Sequence, residues 1–190
     1  MYDYFLSEVD TLNGKILVFS DSHGYSNYMN KALEMHDDAD MMIHLGDGAY
    51  DLSHLFPEHP QIPLIFIAGN GEEGGWIRVD RMHEPLKFGF TEFAGKKIFM
   101  THGHRYDVKY GLSRLIAAGY EKGADIILYG HTHIPFNQYI PEGTYLDYIG
   151  ETDRPLLVFN PGSIGMGPDY SFGVLGFSGG EILASHGKFK

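Results

Sequence analysis

Six short stretches concentrate side chains able to bind a metal or carry a proton. They read Ser20-Asp21-Ser22-His23-Gly24, Gly46-Asp47-Gly48, Gly69-Asn70-Gly71, Thr101-His102-Gly103-His104, Gly130-His131-Thr132-His133 and Asn160-Pro161-Gly162-Ser163. Imidazole nitrogen and carboxylate oxygen without sulfur suit Mn, Fe, Zn, Co or Ni better than Mg or Ca, which favour oxygen-only shells. An Asp-x-His or His-x-His pair sends two ligands around one centre if the backbone bends, and the flanking glycines allow that bend. The Asp, Asn and His residues of these stretches outnumber the three or four ligands of a single catalytic zinc. Two metals sharing a bridging carboxylate account for the number.

Taken singly, each stretch has an ordinary reading. Ser and Asp after a strand often cap helices, Gly-Asp and Gly-Asn are common turn dipeptides, and His131 and His133 could satisfy buried polar groups. What joins them is position. Each follows a short apolar run, at 15–19, 41–45, 64–68, 97–100, 125–129 and 156–159. Runs of this length suit strands buried on both faces. Apolar positions at helical spacing fill two of the gaps, over 26–39 with Ser26 as N-cap and over 107–122 with Gly123 as terminator. Strand-helix alternation predicts an α/β sheet with parallel pairs, whose ligands gather beyond the carboxyl ends of the strands. A hairpin is expected over 86–100 around Ala94-Gly95, and two or three short antiparallel runs after residue 155. The segment 136–154 is weakly patterned and fits either a long connection or a short hairpin.

Composition narrows the function classes. The 190 residues fit one domain over 1–190, with residues 1–14 as an N-terminal extension. There are 14 Lys+Arg against 25 Asp+Glu, a formal net charge of −11, and no basic run, which argues against stable binding to duplex nucleic acid. A small phosphate-bearing substrate remains compatible. The absence of Cys excludes disulfides, thiolate nucleophiles and thiolate metal sites. The acidic start of the chain and the lack of a bilayer-length apolar run lead to the expectation of a soluble, cytoplasmic protein with no membrane partner.

The ordered motifs Asp-x-His, Gly-Asp, Gly-Asn, Thr-His-Gly-His and Gly-His-Thr-His resemble those of the calcineurin-like metallophosphoesterase superfamily. Asn160-Pro161-Gly162-Ser163 and the short length are similar to its small phosphodiesterase branch, which includes the retromer scaffold subunit. The resemblance spans about residues 15–185. It implies a four-layer α/β/β/α sandwich of two mixed sheets. It also implies a metal site with Asp21, His23 and His133 on one ion, Asn70, His102 and His131 on the other, and Asp47 bridging. The implied reaction is hydrolysis of a small phosphate ester, a diester foremost, through a hydroxide activated by two divalent metals, Mn first, with Ni, Zn, Fe or Co as alternatives. A protein-interaction scaffold with a weak or silent metal site is the other function the resemblance carries, and small members often form homo-oligomers.

One departure matters. Many members have a proton-donating His after the motif Asn, and here Gly71 stands there. The resemblance sets His104, also in the matching motif, behind the ligands or against substrate; leaving-group protonation then falls to His104, to water, or to no residue, which favours activated or diester leaving groups. Glu72 is expected to be an exposed loop carboxylate, and His44 a core or edge residue. Arg105, Tyr106, Trp76, Arg78 and Arg81 are candidates for a substrate pocket, while Tyr2, Tyr4 and Phe5 are expected to pack on the domain or at a subunit contact.

Overall fold

The computed structural model describes residues 13–55, 61–73 and 88–190. Tyr2, Tyr4, Phe5, Trp76, Arg78 and Arg81 lie outside them. Strands β1 (Gly14–Phe19), β2 (Met41–His44) and β3 (Leu64–Phe66) run parallel, as do β5 (Lys96–Thr101), β6 (Ile126–Leu128) and β10 (Leu156–Asn160). Antiparallel strands extend each group: β11 (Tyr170–Ser178) and β12 (Glu181–Phe189) beside β1, β4 (Phe88–Phe93) beside β5, and β7 (Phe136–Ile140) beside β10. The orders are β12-β11-β1-β2-β3 and β4-β5-β6-β10-β7, two mixed sheets.

The period-2 alternation of each strand assigns its side chains to layers. Ile16, Val18, Ile43, Ile98, Met100, Ile126, Leu128, Leu157 and Phe159 meet in one core between the sheets. Their neighbours point outward. Leu17, Phe19 and Met42 pack under α1 (Ser26–Met35) and α2 (Ala49–Leu55), while Phe99, Ile127, Leu156 and Val158 pack under α4 (Ser113–Glu121). The result is the expected α/β/β/α sandwich.

Both long helices are shorter than their periodicity suggests. α1 buries Met29, Ala32 and Leu33 as predicted, but Tyr25 is its N-cap, Ser26 is its first residue, and it ends at Met35, four residues before Ala39, with His36 as C-cap. Carboxylates are unfavourable at a helix C-terminus, and beyond His36 they work elsewhere: Asp38 binds the Lys15 ammonium and Asp40 accepts the Lys15 backbone N–H. The predicted 107–122 helix begins only at Ser113, because Asp107 and Gly111 take left-handed φ values of 55° and 153°. Val108 and Leu112 still pack with Leu115. The two last strands are nine residues each and not short, joined by Gly179-Gly180, whose positive φ values suit a tight hairpin. The 136–154 segment supplies edge strand β7 and a small ladder of β8 (Tyr145–Leu146) and β9 (Gly150–Glu151).

Ile126 is fully buried between the sheets. Ile126→Ala is expected to cost about 2–5 kcal/mol, read as a lower urea midpoint with unchanged m-value.

Candidate metal centre

The parallel registers set Phe19 beside His44 and His44 beside Phe66 in one sheet, and Met100 beside Leu128 in the other. The loops that follow therefore leave at one level and touch. The Asp21 N–H donates to the Gly46 carbonyl, the Gly130 N–H to the His102 carbonyl, and the His131 N–H crosses between sheets to Asp21 Oδ2 at 3.0 Å. Asp21, His23, Asp47, His131 and His133 all have positive φ, from 46° to 68°. That conformation costs a non-glycine residue roughly 1–3 kcal/mol, and here it turns each side chain inward. Glycines make the close approach feasible. A Cβ on Gly69 would lie 2.1 Å from Asp47 Oδ1, and one on Gly130 would lie 1.9 Å from Ser20 Oγ.

Two buried atoms in the middle have no hydrogen-bond partner, Asp21 Oδ1 and His102 Nε2. The remaining atoms of those groups are occupied. His102 Nδ1 lies 2.7 Å from the Leu45 carbonyl, which fixes the proton on Nδ1 and leaves Nε2 a bare lone pair. Asp21 Oδ2 accepts from Ser20 Oγ at 2.5 Å and from the His131 N–H. Asp47 Oδ1 accepts the Gly71 N–H, so Oδ2 is the oxygen turned inward. The bare atoms converge: His133 Nε2 is 3.2 Å and His23 Nε2 3.9 Å from Asp21 Oδ1, and His102 Nε2 is 3.8 Å from Asp21 Oδ1 and 3.6 Å from Asp47 Oδ2. Two sets of residues are spaced to hold an ion, Asp21-His23-His133 and Asp21-Asp47-His102. Buried lone pairs facing one another without donors fit divalent cations.

Of the other predicted residues, His131 stands with its ring 5.0 Å from that of His102, and Asn70, at the start of α3 (Asn70–Glu73), opens onto the cleft lined by His23, Asp47 and Gly71. Burial pushes the His131 imidazole down to about 4, so it is neutral at pH 7, the form that binds metal. Burial disfavours the charged Asp21 carboxylate, but His133, His102 and Ser20 outweigh it and hold its pKa below the usual range. His104 lies beside both His102 and His131, with Nε2 3.2 Å from Glu73 Oε2. Arg105 makes a bidentate pair with the same Glu73.

Glu72 overturns its sequence expectation. It is buried and accepts four backbone N–H groups, from Asp47, Gly48, Ala49 and Gly69, at 2.7–3.1 Å. One signal for it was present in the chain. Gly69-x-x-Glu72 has the spacing by which a carboxylate at the third helical position reaches back to the N-cap amide.

Residues 15–178 match the calcineurin-like phosphoesterase superfamily domain. The chain belongs to this superfamily. It is 32% identical over 151 residues to the probable metallophosphoesterase YsnB of Bacillus subtilis, covering 78% of this chain and 74% of that one. Among solved structures, it resembles a novel archaeal phosphodiesterase at 25% identity and a TM-score of 0.60, covering 90% of this chain and 99% of that one. Its fold is also that of Vacuolar Protein Sorting 29 from Cryptosporidium parvum, at 14% identity and a TM-score of 0.65, covering 94% and 99%. A metallophosphoesterase of this family is a metal-dependent hydrolase of phosphate esters, which gives the convergent lone pairs their chemical context. Among the described residues no helix is long and apolar enough to cross a membrane.

A buried hydrogen-bonded chain runs through Ser22, between Asp21 and His23. His44 Nδ1 accepts the Gly46 N–H, so Nε2 carries the proton and faces Ser22 Oγ at 3.2 Å, and Ser22 donates to Asp51 at 2.6 Å. Burial pushes His44 down to about 4, against about 6.5 in the unfolded chain. Between those values only the unfolded chain takes up the proton. The contribution of His44 to stability is therefore complete above about pH 6.5 and is lost as the pH falls towards 4, a change of about 3 kcal/mol. In urea unfolding of metal-free protein from pH 7 to 4.5, His44→Asn should show a shallower pH dependence than the wild type, and equal slopes would contradict this assignment.

Proposed function

We propose that this chain is a phosphodiesterase that hydrolyses a small phosphate diester with two divalent ions, Mn foremost and Ni, Zn, Fe or Co as alternatives. Asp21, His23 and His133 would hold one ion, Asn70, His102 and His131 the other, and Asp47 would be shared. The observation that carries the reading is the convergence of Asp21 Oδ1 and His102 Nε2, buried and unpartnered, with Asp47 Oδ2 between the two histidine sets. When bound, two such ions supply charge for the phosphoryl oxygens and a water acidic enough to act as nucleophile at neutral pH.

The protein's own groups do the rest. Leu45 and Ser20 fix which atom of His102 and of Asp21 faces the centre. His104, held between Glu73 and the His102 ring, is the group we assign to leaving-group protonation, since Gly71 carries no proton to give. Its Nδ1 is buried without a partner. The Arg105–Glu73 pair limits how far His104 can swing. A weakly placed acid favours leaving groups that depart with little help, which is the reason for preferring activated esters and diesters over alkyl monoesters. The same reading treats residues 1–190 as one domain acting in the cytoplasm.

Apoprotein reloaded with Mn, Ni, Zn or Mg should cleave bis(p-nitrophenyl) phosphate faster than p-nitrophenyl phosphate with at least one metal. Asn70→Ala and His102→Ala should each lower kcat/KM by at least about 100-fold, since loss even of outer-shell partners costs 10–100-fold. No turnover of either ester with any metal would instead favour a scaffold on the same fold.

A further inference from the structure

Glu72 is a buried carboxylate for which the proposed chemistry has no use. Its two oxygens divide four amides between them: Oε2 takes Asp47 N–H at 2.8 Å and Gly69 N–H at 2.7 Å, and Oε1 takes Gly48 N–H at 2.8 Å and Ala49 N–H at 3.1 Å. These amides belong to two separate loops, one bearing Asp47 and the other leading into Asn70. A third link closes the ring, from the Gly71 N–H to Asp47 Oδ1 at 2.8 Å. Glu72 is thus the clasp between the two loops. The Asp47 loop has two further links, the His23 N–H to the Asp47 carbonyl at 3.1 Å and the Gly71 bond, but Glu72 alone gathers the 47–49 amides and the Gly69 amide on one carboxylate, where Asp47 holds a left-handed φ of 57°.

We propose that Glu72 is a positioning residue that sets the bridging geometry of the metal centre: by clasping the 47–49 and 69 amides it holds Asp47 so that Oδ1 is spent on Gly71 and Oδ2 alone faces both histidine sets. Asp47 Oδ2 then lies 4.0 Å from His23 Nε2 and 3.6 Å from His102 Nε2, between the groups that would hold the two ions. The carboxylate is required as such. A glutamine has one oxygen and one amide nitrogen, so in either orientation two backbone N–H groups would face an NH2 donor, and the loops would part. Glu72 itself has no contact with an ion in this arrangement and acts through Asp47 and Asn70.

This inference rests on the two-metal reading, and the experiment separates the two. Wild type, Glu72→Gln, Glu72→Asp and the core variant Ile126→Ala are titrated with Mn(II), following stoichiometry by calorimetry and the pairing of the ions by electron paramagnetic resonance. Wild type and Ile126→Ala are expected to bind two Mn with an exchange-coupled spectrum. Glu72→Gln is expected to keep its circular dichroism, to bind the second Mn 10–100-fold more weakly, and to show the six-line signal of isolated Mn(II). Destabilisation alone would leave the spectrum of Ile126→Ala coupled. If Glu72→Gln does not fold, Glu72→Asp carries the test, since its shorter side chain keeps the charge but cannot span both loops. A coupled pair with wild-type affinity in the folded Glu72 variant overturns the clasp. Fewer than two Mn in the wild type overturns the two-metal reading instead.

Discussion

The structure depends on a concentration of lone pairs in a place with little water. His102 Nε2 lies within 4 Å of both Asp21 Oδ1 and Asp47 Oδ2, and the remaining atoms of the three side chains are already committed to Leu45, Ser20 and Gly71. Such an arrangement is unfavourable until cations enter it, because a buried acceptor without a donor costs roughly 1–3 kcal/mol and a buried charge more. The fold supplies the means to tolerate it: two sheets packed face to face, each with three parallel strands whose carboxyl ends stop at the same level. Everything that turns the side chains inward, from left-handed Asp and His residues to glycines too close for a Cβ, follows from the need to bring these groups together.

The acidity of the chain takes on a local meaning in this light. A net charge of −11 is poor for attracting a phosphate. Asp21, Asp47 and Glu72 put three carboxylates at or just behind the centre, and backbone amides rather than cations neutralise the third. Although burial opposes its charge, the amides of Ala49, Asp47 and Gly69 hold Glu72 ionised. Metal charge is then left to face the substrate, with Arg105 already tied to Glu73.

Much of this could be read from residue order. The strand ends were legible because buried runs stop abruptly at Gly, Asp, Asn or His, and the two-sheet sandwich followed from those runs together with the family motifs. The helix lengths were not, since periodicity registers Val108 and Leu112 as part of a helical face but does not register that Asp107 and Gly111 leave helical φ. Strand β7 escaped because its middle residues, Asn137, Gln138 and Tyr139, are exposed on an edge and show no apolar alternation. Glu72 was misread for a different reason. Three of its four partners lie 23–25 residues away, and only the Gly69 contact leaves a local trace.

The central claim is that two ions share Asp47 between the histidine sets. Anomalous diffraction from crystals of the protein soaked in Mn(II), collected on both sides of the Mn edge, addresses it most directly. The account predicts two peaks within about 4 Å of each other, one against Asp21, His23 and His133, the other against Asn70, His102 and His131, with Asp47 Oδ2 touching both. A single peak, or two peaks without Asp47 between them, would contradict it.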